Sequence, residues 1–204
     1  MLGGGLSDVS DDAIKQIVQR VLQQAMGLSP AAPPITNLPP PSVTPEPVKD
    51  SAAEHKAVAI GADHGGFDLK ETLKTEISAL GYEVIDAGTG GREAVDYPDF
   101  AHAVASMVSA GKAWRGIVVD GAGIGSCMVA NKVPGVRAGM AYDYSSAVNG
   151  REHNDANVLT LGAGLIGVNL ARQIVQVWLA TPFGGGRHAR RVEKITAMER
   201  LHLK

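Results

Sequence analysis

The chain has 204 residues, with 19 Lys and Arg against 21 Asp and Glu for a net charge of −2. That length fits one α/β domain with an appendage, and the nearly balanced charge excludes the basic footprint of a nucleic-acid-binding protein. Hydrophobic residues make up 45% but aromatics only 4%, which points to a core of Val, Ile, Leu and Ala suited to parallel strands covered on both faces.

Residues 10–26 read as an amphipathic helix, capped by Ser10, with Asp11 and Asp12 in its first turn and Gly27 as its stop. Ile14, Ile17, Val18, Val21, Leu22 and Ala25 line one face, which needs a partner because so short a helix is marginal alone in water. Residues 28–55 are rich in proline and form an extended, semi-rigid linker. The expected organisation is therefore a helix over 1–27, a linker over 28–55 and a folded domain over 56–204.

In that domain apolar runs alternate with helical patterns. Strands are expected at Ala57–Gly61, Glu83–Ala87, Gly116–Val119, Val136–Ala141 and Asn157–Leu161. Helices fall between them at 67–80, 97–110, 126–131 and 144–150, followed by 168–179 and a last one from about Arg187. Five strands alternating with helices imply a Rossmann-like, doubly wound parallel sheet with helices on both faces and ligands at the strands' carboxyl ends. The single Cys127 leaves no intramolecular disulfide and fits a reducing compartment. No stretch approaches about 18 uninterrupted apolar residues, so no membrane span is expected. A secretory signal is not evident, and the acidic start argues against a transit peptide, which makes the cytoplasm the expected location.

Four segments carry candidate chemistry. Strand one ends in Gly61-Ala-Asp-His-Gly-Gly66, with Asp63 and His64 at its tip. Strand three ends in Asp120-Gly-Ala-Gly-Ile-Gly125, where Gly121, Ala122, Gly123, Ile124 and Gly125 can turn successive amides toward an anion. A dinucleotide reading fails because the G-x-G-x-x-G spacing is broken and the run does not open the fold. Residues 151–157 bring His153, able to shuttle protons near neutral pH, and Asn154 to one end of the sheet. Arg187 and Arg191, four apart, would project from one helix face as a phosphate clamp. Tyr97 either starts a helix or binds a ligand, and Trp114 and Trp178 read as packing residues.

These segments, in this order, resemble the ribose-5-phosphate isomerase B family, which includes galactose-6-phosphate isomerase subunits. The likeness runs from about Lys56 to Glu199 through ADHGGF, VDYPDF, GAGIG with ANKVPGVRA, REHNDANVL and GGRHARRV. The resemblance implies aldose–ketose isomerisation of a small sugar phosphate, ribose 5-phosphate first, through a cis-enediolate with no metal and no cofactor. It assigns Asp63 and His64 to the sugar and phosphate end, Tyr97 to the pocket wall and the Gly121–Gly125 amides to the enediolate oxygens. It gives ring opening to His153, a hydroxyl or oxyanion to Asn154 and the phosphate to Arg187 and Arg191, in a homodimer or tetramer with shared active sites.

Where many members carry a cysteine base, this chain has Asp120, and where others carry a glutamate it has Ser126. The base is then Asp120 or Cys127. Asp120 is preferred because the strand end aims it at the crevice, although its reference pKa near ~3.9 requires burial to make it basic. The N-terminal helix resembles the encapsulation peptides of bacterial microcompartments, with shell or cargo proteins as partners and the compartment interior as the location. An oligomerisation helix is its plainer reading. The rival function is a sugar-phosphate-binding or scaffold protein without turnover.

Overall fold

The structure, a computed structural model, describes residues 56–202 and before them only Asp12, which is helical and exposed. Apart from Asp12, the expected helix over 10–26 and the linker over 28–55 therefore lie outside the described residues.

Five strands, β1 (Ala57–Ala62), β2 (Glu83–Asp86), β3 (Arg115–Asp120), β4 (Ala138–Met140) and β5 (Val158–Gly162), form one sheet in the order β2-β1-β3-β5-β4. Every pairing is parallel. The helices are α1 (Phe67–Ala79), α2 (Tyr97–Ser109), α3 (Ile124–Ala130), α4 (Tyr144–Glu152), α5 (Val168–Ala180) and α6 (Ala189–His202). The doubly wound parallel fold is as expected from the sequence. Strand β1 connects leftward to β2 and the chain then crosses to β3 on its other side, so the order reverses between β1 and β3. A crevice opens at such a switch point.

Strand alternation divides the core into two layers. Val58, Ile60, Ile117, Val119, Leu159 and Leu161 pack on one side against Leu69, Leu73 and Ile77 of α1 and Ile174, Val175 and Trp178 of α5. The positions 171, 174, 175 and 178 recur at the helical period, and all four are buried. On the other side Ala59, Val118 and Val158 meet Ala101, Val104 and Ala105 of α2 and Ala130 of α3. The small residues of α2 let its backbone lie close to the sheet.

Some boundaries differ from expectation. Strand β4 is three residues long rather than six, because residues 136 and 137 belong to the incoming turn and Asn157 Oδ1 accepts from the Arg137 amide, 2.7 Å away. Helix α3 begins at Ile124, two residues early, and α6 begins at Ala189, two residues late. Arg187 thus sits in the turn before α6, and the expected display of Arg187 and Arg191 from one helix face does not occur: only Arg191 is on the helix.

Leu73 is fully buried between sheet and helix. Leu73→Ala is expected to lower unfolding stability by about 2–5 kcal/mol, read from urea denaturation.

Candidate active site

At the carboxyl ends of β1 and β3, three segments converge. Asp63 is buried and its Oδ1 accepts from the Gly66 amide at 3.0 Å, which closes the β1–α1 turn. In the same turn His64 is exposed. Its Nδ1 stands 3.0 Å from the Val95 carbonyl oxygen and 3.2 Å from the Val95 nitrogen, tying the turn to the segment that leads into α2. Tyr97, the first residue of α2, lies over Gly125: a Cβ built there would stand 2.5–2.7 Å from the end of the Tyr97 ring. Glycine is needed at 125 because the ring occupies the space a side chain would take. Gly65 closes the triangle, since a Cβ on it would be 3.6 Å from the Gly121 nitrogen.

The β3–α3 loop is held from within by Asp120, whose side chain is only 3% exposed. Its Oδ1 accepts from the amides of Ala122, at 2.7 Å, and Gly123. Its Oδ2 accepts from the Ser126 amide at 3.1 Å and from the Ser126 hydroxyl. Four donors fill the roughly four lone-pair sites of a carboxylate. Gly123 has φ 78, the left-handed conformation that carries the chain round this carboxylate. Two sequence expectations are corrected. Asp120 does not present a free lone pair to the crevice, and the amides of Ala122 and Gly123 are already spent. The amides of Gly121, Ile124 and Gly125 have no protein acceptor among the described residues.

Cys127 faces away from this loop. Its Sγ is 3.5 Å from the Ala138 carbonyl oxygen and 3.6 Å from Asn131 Nδ2, on the β4 side of α3. Burial pushes the thiol pKa up, against smaller opposing effects of Thr160, the Met140 backbone and Asn131. A thiol so held is a poor base, so the structure does not support Cys127 as the alternative.

A second cluster lies at the amino end of the sheet. His153 caps α4, and Asn154 follows in the turn to β5. Arg151 and Arg137 grip Asp155 at 2.9 and 2.8 Å, which holds its unusual φ of 47 and fixes that turn. The Gly184 amide donates to the Glu152 carbonyl at 2.9 Å and so brings the next segment alongside. The His153 ring stacks on His188, with centroids 4.1 Å apart and planes 6° from parallel. Arg187 and Arg191 are exposed beside this pair. Burial pushes the His188 pKa down, with His153, Arg187 and Arg191 adding to it and Glu152 opposing. His188 was not singled out from sequence, although it lies between the two arginines that were.

Asn154 departs from expectation in detail. Its Nδ2 donates to the Asn149 carbonyl at 3.2 Å and to Asn149 Oδ1 at 3.0 Å. With both N–H groups committed, it offers outward only an acceptor oxygen, which suits a hydroxyl and not an oxyanion.

The two clusters are not brought together within one chain. Gly116 pairs with Val158 and Asp120 with Gly162, so the start of β5 lies four strand positions, about 13 Å, below the Asp120 tip. His153 and Asn154 precede that start. A groove of about 630 Å³ runs along the β4 edge, lined in part by Asn131, Arg137, Met140, Tyr142, Asn149 and Asn154. It reaches the lower cluster and not the crevice.

Residues 58–195 match the family described as Ribose/Galactose Isomerase. Ribose-5-phosphate isomerase B of Escherichia coli is 44% identical over 71% of this chain and 97% of its own. D-erythrulose-4-phosphate isomerase of Pectobacterium atrosepticum is also 44% identical, over 68% of this chain and 92% of its own. The solved ribose-5-phosphate isomerase B of Clostridium thermocellum superposes with a TM-score of 0.71 at 49% identity, covering 72% of this chain and 99% of that one.

Asp120→Asn would turn a donating NH₂ toward amide or hydroxyl donors that now point at oxygen. A stability loss of about 2 kcal/mol or more is expected from the unsatisfied buried group, measured by chemical denaturation. A stability equal to wild type would contradict this account of the loop.

Proposed function

The chain belongs to the Ribose/Galactose Isomerase family, and from that membership we propose that it is an aldose–ketose isomerase interconverting ribose 5-phosphate and ribulose 5-phosphate. Closely similar relatives named for that reaction support the substrate. The observation that carries the chemistry is the meeting of the Asp63–His64 turn, Tyr97 and the Gly121–Gly125 loop at the β1/β3 switch point.

The reaction moves one proton from C2 of the opened sugar to C1, through an enediolate whose oxygens need donors. Asp120 is the proposed base. It takes the C2 proton once the substrate oxygens draw the Ala122 and Gly123 amides to themselves, because an amide hydrogen cannot serve the carboxylate and the enediolate fully at once. Gly121, Ile124 and Gly125 supply the remaining amides. Asp63 and His64 contact the sugar and phosphate end, and Tyr97 lines the wall. His153 opens the ring, Asn154 accepts from a sugar hydroxyl, and Arg187 and Arg191 bind phosphate.

Those last four residues lie at the wrong end of the sheet to reach the same chain's crevice. We therefore propose a homodimer in which the amino end of one copy completes the crevice of the other, since a two-fold arrangement forms two such sites at once. Tyr142, Tyr144, Met198 and Leu201, each more than half exposed, supply apolar surface for such a contact. For residues 1–27 the amphipathic sequence supports docking on a microcompartment shell or cargo protein, and a place inside that compartment.

Purified protein is expected to form ribulose 5-phosphate from ribose 5-phosphate, with D-erythrulose 4-phosphate as the second substrate to compare. Failure on both, together with other pentose and hexose phosphates, would remove the activity. His64→Ala and Arg187→Ala should each be nearly inactive, yet dissociated and mixed they should recover about a quarter of wild-type turnover. No recovery would place each site within one subunit. Removing residues 1–50 should leave turnover intact and abolish co-sedimentation with shell assemblies, and lost turnover would instead assign that segment to the catalytic oligomer.

A further inference from the structure

We propose that Asn149 is a positioning residue that fixes the tautomer of His153, presenting its imidazole to the ligand as an Nε2–H donor. The Asn149 backbone carbonyl can only accept, and the Asn154 side-chain amide approaches it at 3.2 Å, so the approaching atom is Nδ2 and not Oδ1. The same Nδ2 lies 3.0 Å from the Asn149 side chain, which must therefore turn its Oδ1 that way. The other end of the Asn149 amide is then its NH₂, and this group stands 2.9 Å from His153 Nδ1. An NH₂ can only donate there. Nδ1 is thus the acceptor, and the proton of the neutral imidazole resides on Nε2.

The surroundings favour the same state. His188 stacks on His153 at 4.1 Å, and its Nε2 lies 3.4 Å from Arg187 Nε, a donor that makes His188 an acceptor and hence neutral too. Around His188, Arg187 and Arg191 add positive charge, and Glu152 opposes them among the described residues. Two stacked imidazolium ions beside two guanidinium groups would repel at short range. Asn149 is exposed and sits one helical turn before His153 on α4, so it can be changed without opening the core.

The consequence, which rests on the isomerase reading, concerns ring opening. When the C1–O4 bond of the furanose breaks, O4 gains a proton and the anomeric hydroxyl loses one. His153 Nε2–H donates a hydrogen bond to O4 as the bond breaks, and the proton leaving O1 reaches O4 through water, so the imidazole stays neutral throughout. The opposite tautomer would face O4 with a lone pair and could not do this.

The test has two arms on the full-length protein. In the first, ¹⁵N-histidine spectra at neutral pH, with His153 assigned through His153→Gln, should show an unprotonated Nδ1 and a protonated Nε2. Asn149→Asp, which accepts at that position, should move the proton to Nδ1. The second arm is kinetic. Asn149→Asp should lower kcat on ribose 5-phosphate by about tenfold or more and shift the acidic limb of the rate profile to higher pH, because a carboxylate beside an imidazole favours its charged form. Asn149→Leu should lower kcat less, with the acidic limb in place. A protonated Nδ1 in the wild type would overturn the proposal, as would identical rate profiles for both variants. Absence of wild-type turnover would instead refute the isomerase reading, with the spectra still deciding the tautomer.

Discussion

Strand polarity governs everything else in this molecule. In an all-parallel sheet each strand delivers its carboxyl end to the same rim, and each helix returns the chain to the opposite one. Residues that follow a strand and residues that precede one are therefore separated by the length of the sheet, whatever their chemistry. Asp63 and His64 follow β1 and Asp120 ends β3, whereas His153 and Asn154 precede a strand, and Arg187 follows a helix that has already run back. No side-chain rotation spans that distance, so a site using both sets would need a second copy of the chain, as proposed above.

The lower rim is built to hold its share firmly. Two buried guanidinium groups, Arg115 and Arg151, converge on the carboxyl end of α5. Arg115 donates to the carbonyls of Trp178 and Leu179 at 2.7 and 2.9 Å, and both reach Thr181 at 3.4 Å. These carbonyls lack intrahelical partners and carry the negative end of the helix dipole, so cations are well placed there. Burial, with Arg151 adding to it, pushes the Arg115 pKa down to about 9, which leaves it charged at neutral pH. Trp114 covers its face at 3.9 Å. Arg151 also reaches forward to Asp155 and the Ala156 carbonyl, so one side chain braces both the end of α5 and the turn that carries His153. The chain after α5 then leaves from a fixed point toward Arg187 and His188.

Much of this was legible in the sequence because it depends on pattern. The short apolar runs and the helical patterns between them identified five strands and their helices, and the punctuating glycines marked the tips. Strand polarity was legible too, since whether a residue precedes or follows a strand is read directly from chain order. What escaped depends on how groups pair in space. Nothing in the run from Asp120 to Gly125 says that the carboxylate folds back on the amides beside it, and only Ser126, six residues on, completes that arrangement. The start of α6 was misplaced because Gly185 and Gly186 take φ of 59 and 51 and delay the first helical turn past Arg187. His188 and Asn149 lacked a signal of their own: one hid between two arginines, the other was one polar residue on an exposed helix. The i, i+4 spacing of Asn149 and His153 was the one available hint.

The Asp120 loop shows why a site can be well formed and yet not poised. Its carboxylate shapes the turn by occupying the donors that a developing oxyanion would need, and those donors in turn fill the lone pairs that a base must expose. Each function, taken alone, would be weakened by this arrangement in the free protein. Taken together they are complementary, because a ligand oxygen that captures an amide also releases the carboxylate. The buried Ser126 hydroxyl is the donor least able to follow the ligand, since its residue is fully enclosed. In the proposed reaction it would keep Asp120 oriented while the amides change partner. The turn thus has a resting partner built from its own strand end, and in the proposed reaction substrate binding would exchange that partner for the one whose charge develops.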